Sequence, residues 1–250
     1  MSGHSKWSSI KHQKGAKDAK RGALFTKLAR AIQVAAKEGG GDPEGNAALA
    51  NAVQKARDAS MPKDNIERAI AKGTGADSDA DAFESVVYEG YGPGGVAVLV
   101  EALTDNRNRT GSEVRHIFAK AGGSLGEPGS VAWQFEKKGI VLVDAERYSE
   151  DDLMGAIDAG AEDVAQDENV WEIVTAPGDL QAVREALAGD GVDLQNAELT
   201  MRPNTSVELD EDGTAKVLRL IESLDDQDDV NAVHANFEAD ADVLERVAAA

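Results

Sequence analysis

The chain has 250 residues, 42% of them hydrophobic but only 4% aromatic, with no cysteine and a formal net charge of −20. This length suits one large domain or two to three small ones, and this hydrophobic fraction excludes whole-chain disorder, so cores built mostly from Ala, Val, Leu and Ile are expected. The absence of cysteine excludes disulfides, Cys-based zinc sites and a thiol nucleophile, and the longest aliphatic run, Val96–Val100, falls far short of the ~20 residues of a membrane span.

Residues 2–22 are basic, rich in Gly and Ser, and lack an apolar period; they read as a flexible or partner-ordered arm, with no stretch of signal-peptide type at Met1–Trp7. Charge is sharply segregated here. Residues 1–37 hold nine bases against one acid, Asp18, for a net +8, and residues 1–72 are net +7. Residues 73–250 carry −27. Such asymmetry points to a polyanion-binding arm on an acidic body that would itself repel nucleic acid.

Helical periodicity begins at Leu24, Leu28, Ala31, Ile32 and Ala35 and stops at Gly39-Gly40-Gly41. A second helix is expected from near Asn46 to about Ala59, and a third opening at Pro62 with Gly73 just past its end. Each is too short to be stable alone, so the three must pack together. The small acidic stretch 73–81 reads as a linker. From Phe83 strands and helices alternate. Val86–Tyr91 and Val96–Leu103 read as strands joined by the tight turn Gly92-Pro93-Gly94-Gly95. Thr110-Gly111-Ser112-Glu113 has the form of a capping box ahead of a helix with Val114, Ile117 and Phe118 inward. Further strands are expected near Val131–Phe135, Ile140–Asp144, Ala165, Trp171–Thr175, Glu198–Pro203 and Asn231–Phe237. Helices are expected at Glu150–Ala159, Leu180–Ala188 and Ala215–Leu224, with a short acidic helical tail. This is an α+β pattern of ferredoxin-like layers, in which periodicity alone does not say which strands share a sheet.

The chemistry on offer is phosphate binding. Lys11, Lys14, Lys17 and Lys20 recur every third residue, with Lys6, Arg21, Lys27 and Arg30 around them. Ammonium groups suit phosphate oxygens without base selection. Neutralising about six phosphates gives a log–log salt slope of roughly −5 on duplex DNA. Trp7 is a candidate for stacking on an exposed base, or else a hydrophobic anchor docking the arm onto the helices. Arg107 and Arg109, beside a helix amino terminus, form a candidate second anion site. The turn at 90–95 lacks the Lys-Ser/Thr of a P-loop and the spacing of a dinucleotide fingerprint. No nucleophile–base–orienter set stands out, and the four His, at 4, 12, 116 and 234, have no metal-ligand spacing. No catalytic residue, metal or cofactor is expected.

Several segments together resemble the YebC/PmpR family. They are Gly3-His4-Ser5-Lys6-Trp7, Lys11-His12-Gln13-Lys14, Asp18-Ala19-Lys20-Arg21-Gly22, Phe25-Thr26-Lys27-Leu28 and Met61 through Ile70. Tyr88 through Gly95, Thr104 through Thr110 and Gly129-Ser130-Val131 continue the match in collinear order, up to an acidic, Ala-rich tail after about Phe237. The resemblance implies a basic helical domain with its arm at 1–75, an α+β domain at 83–135 completed by 206–238, and a second α+β domain inserted at 136–205, with the tail at 239–250. It implies a cytoplasmic DNA-binding transcriptional regulator. Mitochondrial relatives are translational activators of cytochrome c oxidase, and some bacterial members act on ribosomes at stretches such as consecutive prolines, so ribosomal RNA is the alternative target. Neither account is enzymatic.

The expected protein is therefore a non-enzymatic, nucleic-acid-binding regulator of gene expression with no membrane partner and no evident small-molecule substrate. Its phosphate contacts are assigned to Lys6, Lys11, Lys14, Lys17, Lys20, Arg21, Lys27 and Arg30, with Arg107 and Arg109 across an interdomain cleft. An enzyme acting on nucleotides near Arg107, and an adaptor using the acidic domains, are the rival classes.

Overall fold

A computed structural model of the chain describes Gly3, Trp7 and residues 18–75 and 83–249. The amino-terminal unit is three helices, α1 (Asp18–Gly39), α2 (Ala47–Asp58) and α3 (Lys63–Gly73). The first helix starts one and a half turns before the apolar period does. Residues 21–24 of α1 are exposed, so no hydrophobic stripe marks its first turns, and residues 18–22 belong to the helix rather than to the arm. Asn46 caps α2 by accepting the Leu49 N–H at 3.1 Å, and its amide donates to Ala35 O and Gly40 O, both at 2.8 Å. One side chain thus closes two helix ends. Ile32, Leu49, Val53, Ala56, Ile66 and Ala69 form the core. Gly73 permits α3 to approach α1 closely, because a Cβ there would lie 2.9 Å from that of Ala36.

Two antiparallel sheets follow. The first has the order β3-β1-β2-β9, from β1 (Glu84–Tyr91), β2 (Ala97–Thr104), β3 (Ser124–Leu125) and β9 (Val230–Ala235). Helices α4 (Arg107–Lys120) and α7 (Glu211–Asp225) cover one face, burying Val98, Val100, Val114, Phe118, Val217 and Ile221. The hairpin β1–β2 turns at Gly94 and Gly95, whose φ values of 73° and 78° favour glycine. The second sheet has the order β5-β6-β4-β7, from β4 (Phe135–Asp144), β5 (Ala161–Asp167), β6 (Val170–Thr175) and β7 (Leu194–Pro203). With α5 (Met154–Asp158) and α6 (Leu180–Gly189) it runs β-α-β-β-α-β around Val141, Val143, Ile173, Val183 and Leu187. It lies in sequence between β3 and β9 of the first sheet. Short strands β8 (Val207–Glu208) and β10 (Phe237–Glu238) pair in parallel beside the first sheet.

Two local expectations differ from the structure. Helix α4 begins at Arg107, not after Thr110: Asn106 Oδ1 accepts the Arg109 N–H at 3.1 Å, so Asn106 is the cap and Thr110 lies inside the helix. Residues 132–134 form a 3₁₀ turn instead of a strand, and β4 starts at Phe135. The expected helical tail is present as α8 (Ala241–Ala249), and Leu244 is fully buried against the first sheet's core. Among the described residues no helix is long and apolar enough to cross a membrane.

Candidate nucleic-acid interface

The basic face of α1 is partly spent on docking. Lys27 Nζ donates to the carbonyl oxygen of Asp225, in the last turn of α7 at the negative end of its dipole. One turn on, Arg30 donates to Asp228 O at 2.8 Å and to Asp229 Oδ1 at 3.2 Å, and its guanidinium lies 5.0 Å from the centre of the Phe83 ring. The helical unit is thereby fastened to the connection between α7 and β9.

Asp229 is the centre of that joint. It is 4% exposed. Its Oδ2 accepts from Arg109 and from Thr110, each at 2.7 Å, and Thr104 Oγ1 stands 3.4 Å away. Burial pushes its carboxyl pKa up, but Thr110 and Arg109, with Arg30 adding its charge, outweigh this and hold it below the usual value. Arg109 also bonds Asp105 at 2.8 Å. A phosphate meeting Arg30 or Arg109 would compete with Asp229 for the nitrogen each already commits to it, although the Arg109 side chain stays 44% exposed.

The candidate contacts therefore divide. Arg30 and Arg109 are held by carboxylates, and Lys27 by a helix end, because folding brings residues 225–229 against α1 and α4. These three are docking groups in this conformation. Arg21 is exposed, its guanidinium 5.5 Å from the centre of the Phe25 ring. Arg107 keeps most of its surface, with Glu84 3.7 Å away. Lys20 lies in the first turn of α1. Lys6, Lys11, Lys14 and Lys17 fall outside the described residues.

Trp7 is not presented for stacking. It is 6% exposed and belongs to the first sheet's core with Val96, Phe237 and Leu244. It anchors the amino terminus to the α+β body, not to the helices. Gly3 packs on Phe237 of the same core: a Cβ there would come within 2.8 Å of Phe237 O. The Trp7 Nε1 is buried without a hydrogen-bond partner among the described residues. Burying that donor is costly, so the ring's apolar area must carry the contact.

One group escaped the sequence reading. Glu89, in β1, is 7% exposed and accepts backbone N–H bonds from Gly129 at 2.6 Å and from Val131 and Ala132 at 2.7 Å each. Burial raises its pKa, and the three donors more than reverse this, leaving it below the usual carboxylate range. Two of the resembling segments, 88–95 and 129–131, are thus held together by one carboxylate. The advance signal was an acid within the apolar run Val86–Tyr91 of that strand.

Contacts also link the inserted sheet to both other units. Arg184 reaches Asp58 at 3.1 and 3.2 Å, Lys55 lies 3.4 Å from Glu198, and His234 sits 3.2 Å from Thr200 and 3.4 Å from Glu101. The His234 bond holds the Glu101 carboxyl below its usual pKa, against the burial that opposes it. Among the described residues no group of three or more His, Asp and Glu is placed to hold a metal ion.

Residues 5–76 match the family model described as the TACO1/YebC protein N-terminal domain, and residues 83–237 match the TACO1/YebC second and third domain. The chain belongs to the TACO1/YebC family. Relatives run its full length. A protein of Rubrobacter xylanophilus named a probable transcriptional regulatory protein is 57% identical, covering 99% of this chain and 100% of the relative. A similarly named protein of Desulfotalea psychrophila is 53% identical over 99% of this chain and 100% of its own. The crystal structure of a conserved hypothetical protein from Aquifex aeolicus superposes with a TM-score of 0.78 at 50% identity, covering 89% of this chain and 92% of that one. These TACO1/YebC relatives carry regulatory names, and none of those names is that of an enzyme.

Proposed function

We propose that this protein is a non-enzymatic regulator of gene expression in the cytoplasm that binds nucleic acid through its amino-terminal segment. The observation that carries the reading is the net +8 of residues 1–37 on a chain of net charge −20. Coulombic attraction to a phosphate backbone is then strongest at that end, and the acidic α+β units contribute only where a local group such as Arg107 offsets their charge. Lys6, Lys11, Lys14, Lys17, Lys20 and Arg21 make the phosphate contacts, with Arg107 as a second anchor on the α+β body. Lys27, Arg30 and Arg109 set the angle at which the helical unit stands on that body. The relatives' names favour DNA as the target. The contacts proposed here read backbone and not bases, so structured RNA is the alternative.

Crosslinking in growing cells, followed by sequencing of the attached nucleic acid, tests this reading. Enrichment of promoter DNA supports transcriptional regulation, and enrichment of ribosomal RNA moves the target to the ribosome. Recovery of nucleic acid no greater than from an acidic control protein of similar size removes the proposal.

A further inference from the structure

Trp133 is 71% exposed, the most solvent-facing of the large apolar side chains among the described residues. Its backbone is nevertheless rigidly held. Val131 is fully buried against Ala97, Leu99 and Phe135, Gln134 is 9% exposed and bonds Asn236 at 3.0 Å, and Glu89 clamps Gly129, Val131 and Ala132 from below. The ring itself is fixed too. Its Nε1 donates to Ser130 O at 3.1 Å, and the hydroxyl of Tyr91, a side chain 37% exposed, donates to the same carbonyl at 3.0 Å. Two aromatic rings therefore converge on one oxygen, with polar edges tied down and apolar surface left to solvent.

We propose that Trp133, with Tyr91 beside it, is a nucleobase-stacking site for single-stranded nucleic acid; this rests on the nucleic-acid-binding reading above. An exposed indole costs free energy in water, and nothing in the core uses this one. Holding the ring in place beforehand removes the ordering cost that weakens flexible contacts. Its surroundings favour a flat π-face over a protein partner. Among the described residues, Glu127, Gly129, Glu136, Asn204, Thr205 and Ser206 around the turn are exposed and polar or without a side chain, which leaves Pro128 and Tyr91 as the ring's exposed apolar company, less than the apolar centre of a protein interface. Stacking needs only the ring face and tolerates any base. The stacking role first considered for Trp7 thus passes to an aromatic residue that folding leaves outside.

The test is fluorescence anisotropy of the full chain with a labelled single-stranded oligothymidylate of about twenty nucleotides, at several salt concentrations. Trp133→Ala is expected to weaken binding about 5- to 150-fold with an unchanged log–log salt slope, and Trp133→Phe to recover most of the loss. In the unsubstituted protein, saturation with the oligonucleotide is expected to shield the exposed indole from acrylamide quenching, a readout independent of any variant's folding. Equal affinity of wild type and Trp133→Ala, or quenching unchanged at saturation, overturns the stacking site while leaving phosphate binding intact. Duplex binding without single-strand binding also overturns it. Failure of the unsubstituted protein to bind any nucleic acid removes the parent reading, and the stacking site with it.

Discussion

If Arg30 is a docking group, removing it should loosen the fold and leave the grip on phosphates unchanged. The Arg30–Asp229 pair spans 3.2 Å, with side-chain exposures of 22% and 4%. A hydrogen bond to a charged group contributes about 1.5–3 kcal/mol when well buried, and an exposed pair contributes well under 1. This geometry lies between, and Asp229 keeps Arg109 and Thr110 as donors, so a coupling energy of about 1–2 kcal/mol is expected. Urea unfolding of wild type, Arg30→Ala, Asp229→Ala and the double variant, followed by circular dichroism, measures it. The folded Asp229 pKa is depressed, so its contribution is complete above its unfolded pKa of about 3.9 and is lost as pH falls through the lower folded value. The coupling should therefore be present at neutral pH and vanish in acid. Arg30→Ala should also leave the log–log salt slope of nucleic-acid binding unchanged. A coupling near zero at neutral pH, one that survives protonation of Asp229, or a slope made shallower by Arg30→Ala would refute the assignment of Arg30 to the joint.

Other outcomes follow from the same geometry. Glu89→Gln replaces one acceptor oxygen with a donor facing backbone N–H groups, and is expected to cost about 2 kcal/mol in denaturant unfolding and to give Trp133 faster depolarisation. Because Glu89 also has a depressed pKa, the wild type should lose this contribution only as pH falls below about 4. Trp7→Ala should lower unfolding free energy by about 3–5 kcal/mol, whereas Trp7→Phe, which fills most of the site and removes the unpartnered N–H, should cost under about 1.5. Equal losses for the two would argue against the buried anchor. Gly90→Ala places a Cβ 2.7 Å from Ser124 O and 2.8 Å from the Phe118 ring, so a loss of about 1–3 kcal/mol in thermal or urea unfolding is expected.

Whatever depends on short-range periodicity was readable in the chain. The apolar spacing of Leu28, Ile32 and Ala35 and the Asn46 and Pro62 starts locate the three helices closely, because one-sided burial repeats every turn. Contacts between distant residues were hidden. Thr110 looks like a cap in sequence, yet its hydroxyl turns to Asp229, 119 residues on, and Asn106 is left to cap the helix. Arg30 reads as one more base of a cationic helix until its carboxylate, 199 residues away, is brought beside it. Trp7 illustrates the same limit: aromatic rings suit bases and cores alike, and only the placement of Phe237 and Leu244 decides between them. Similarity to the family indicated which segments matter without revealing that 88–95 and 129–131 matter jointly, through Glu89.

The central claim is that an amino-terminal cationic segment holds the phosphate backbone. Its most direct test is the salt dependence of nucleic-acid affinity for the wild type and for Lys11→Glu, Lys14→Glu and Lys17→Glu combined, on duplex DNA and structured RNA side by side. The account predicts weaker binding to every sequence and a slope shallower by about 3 in the triple variant. Unchanged affinity and unchanged slope would contradict it.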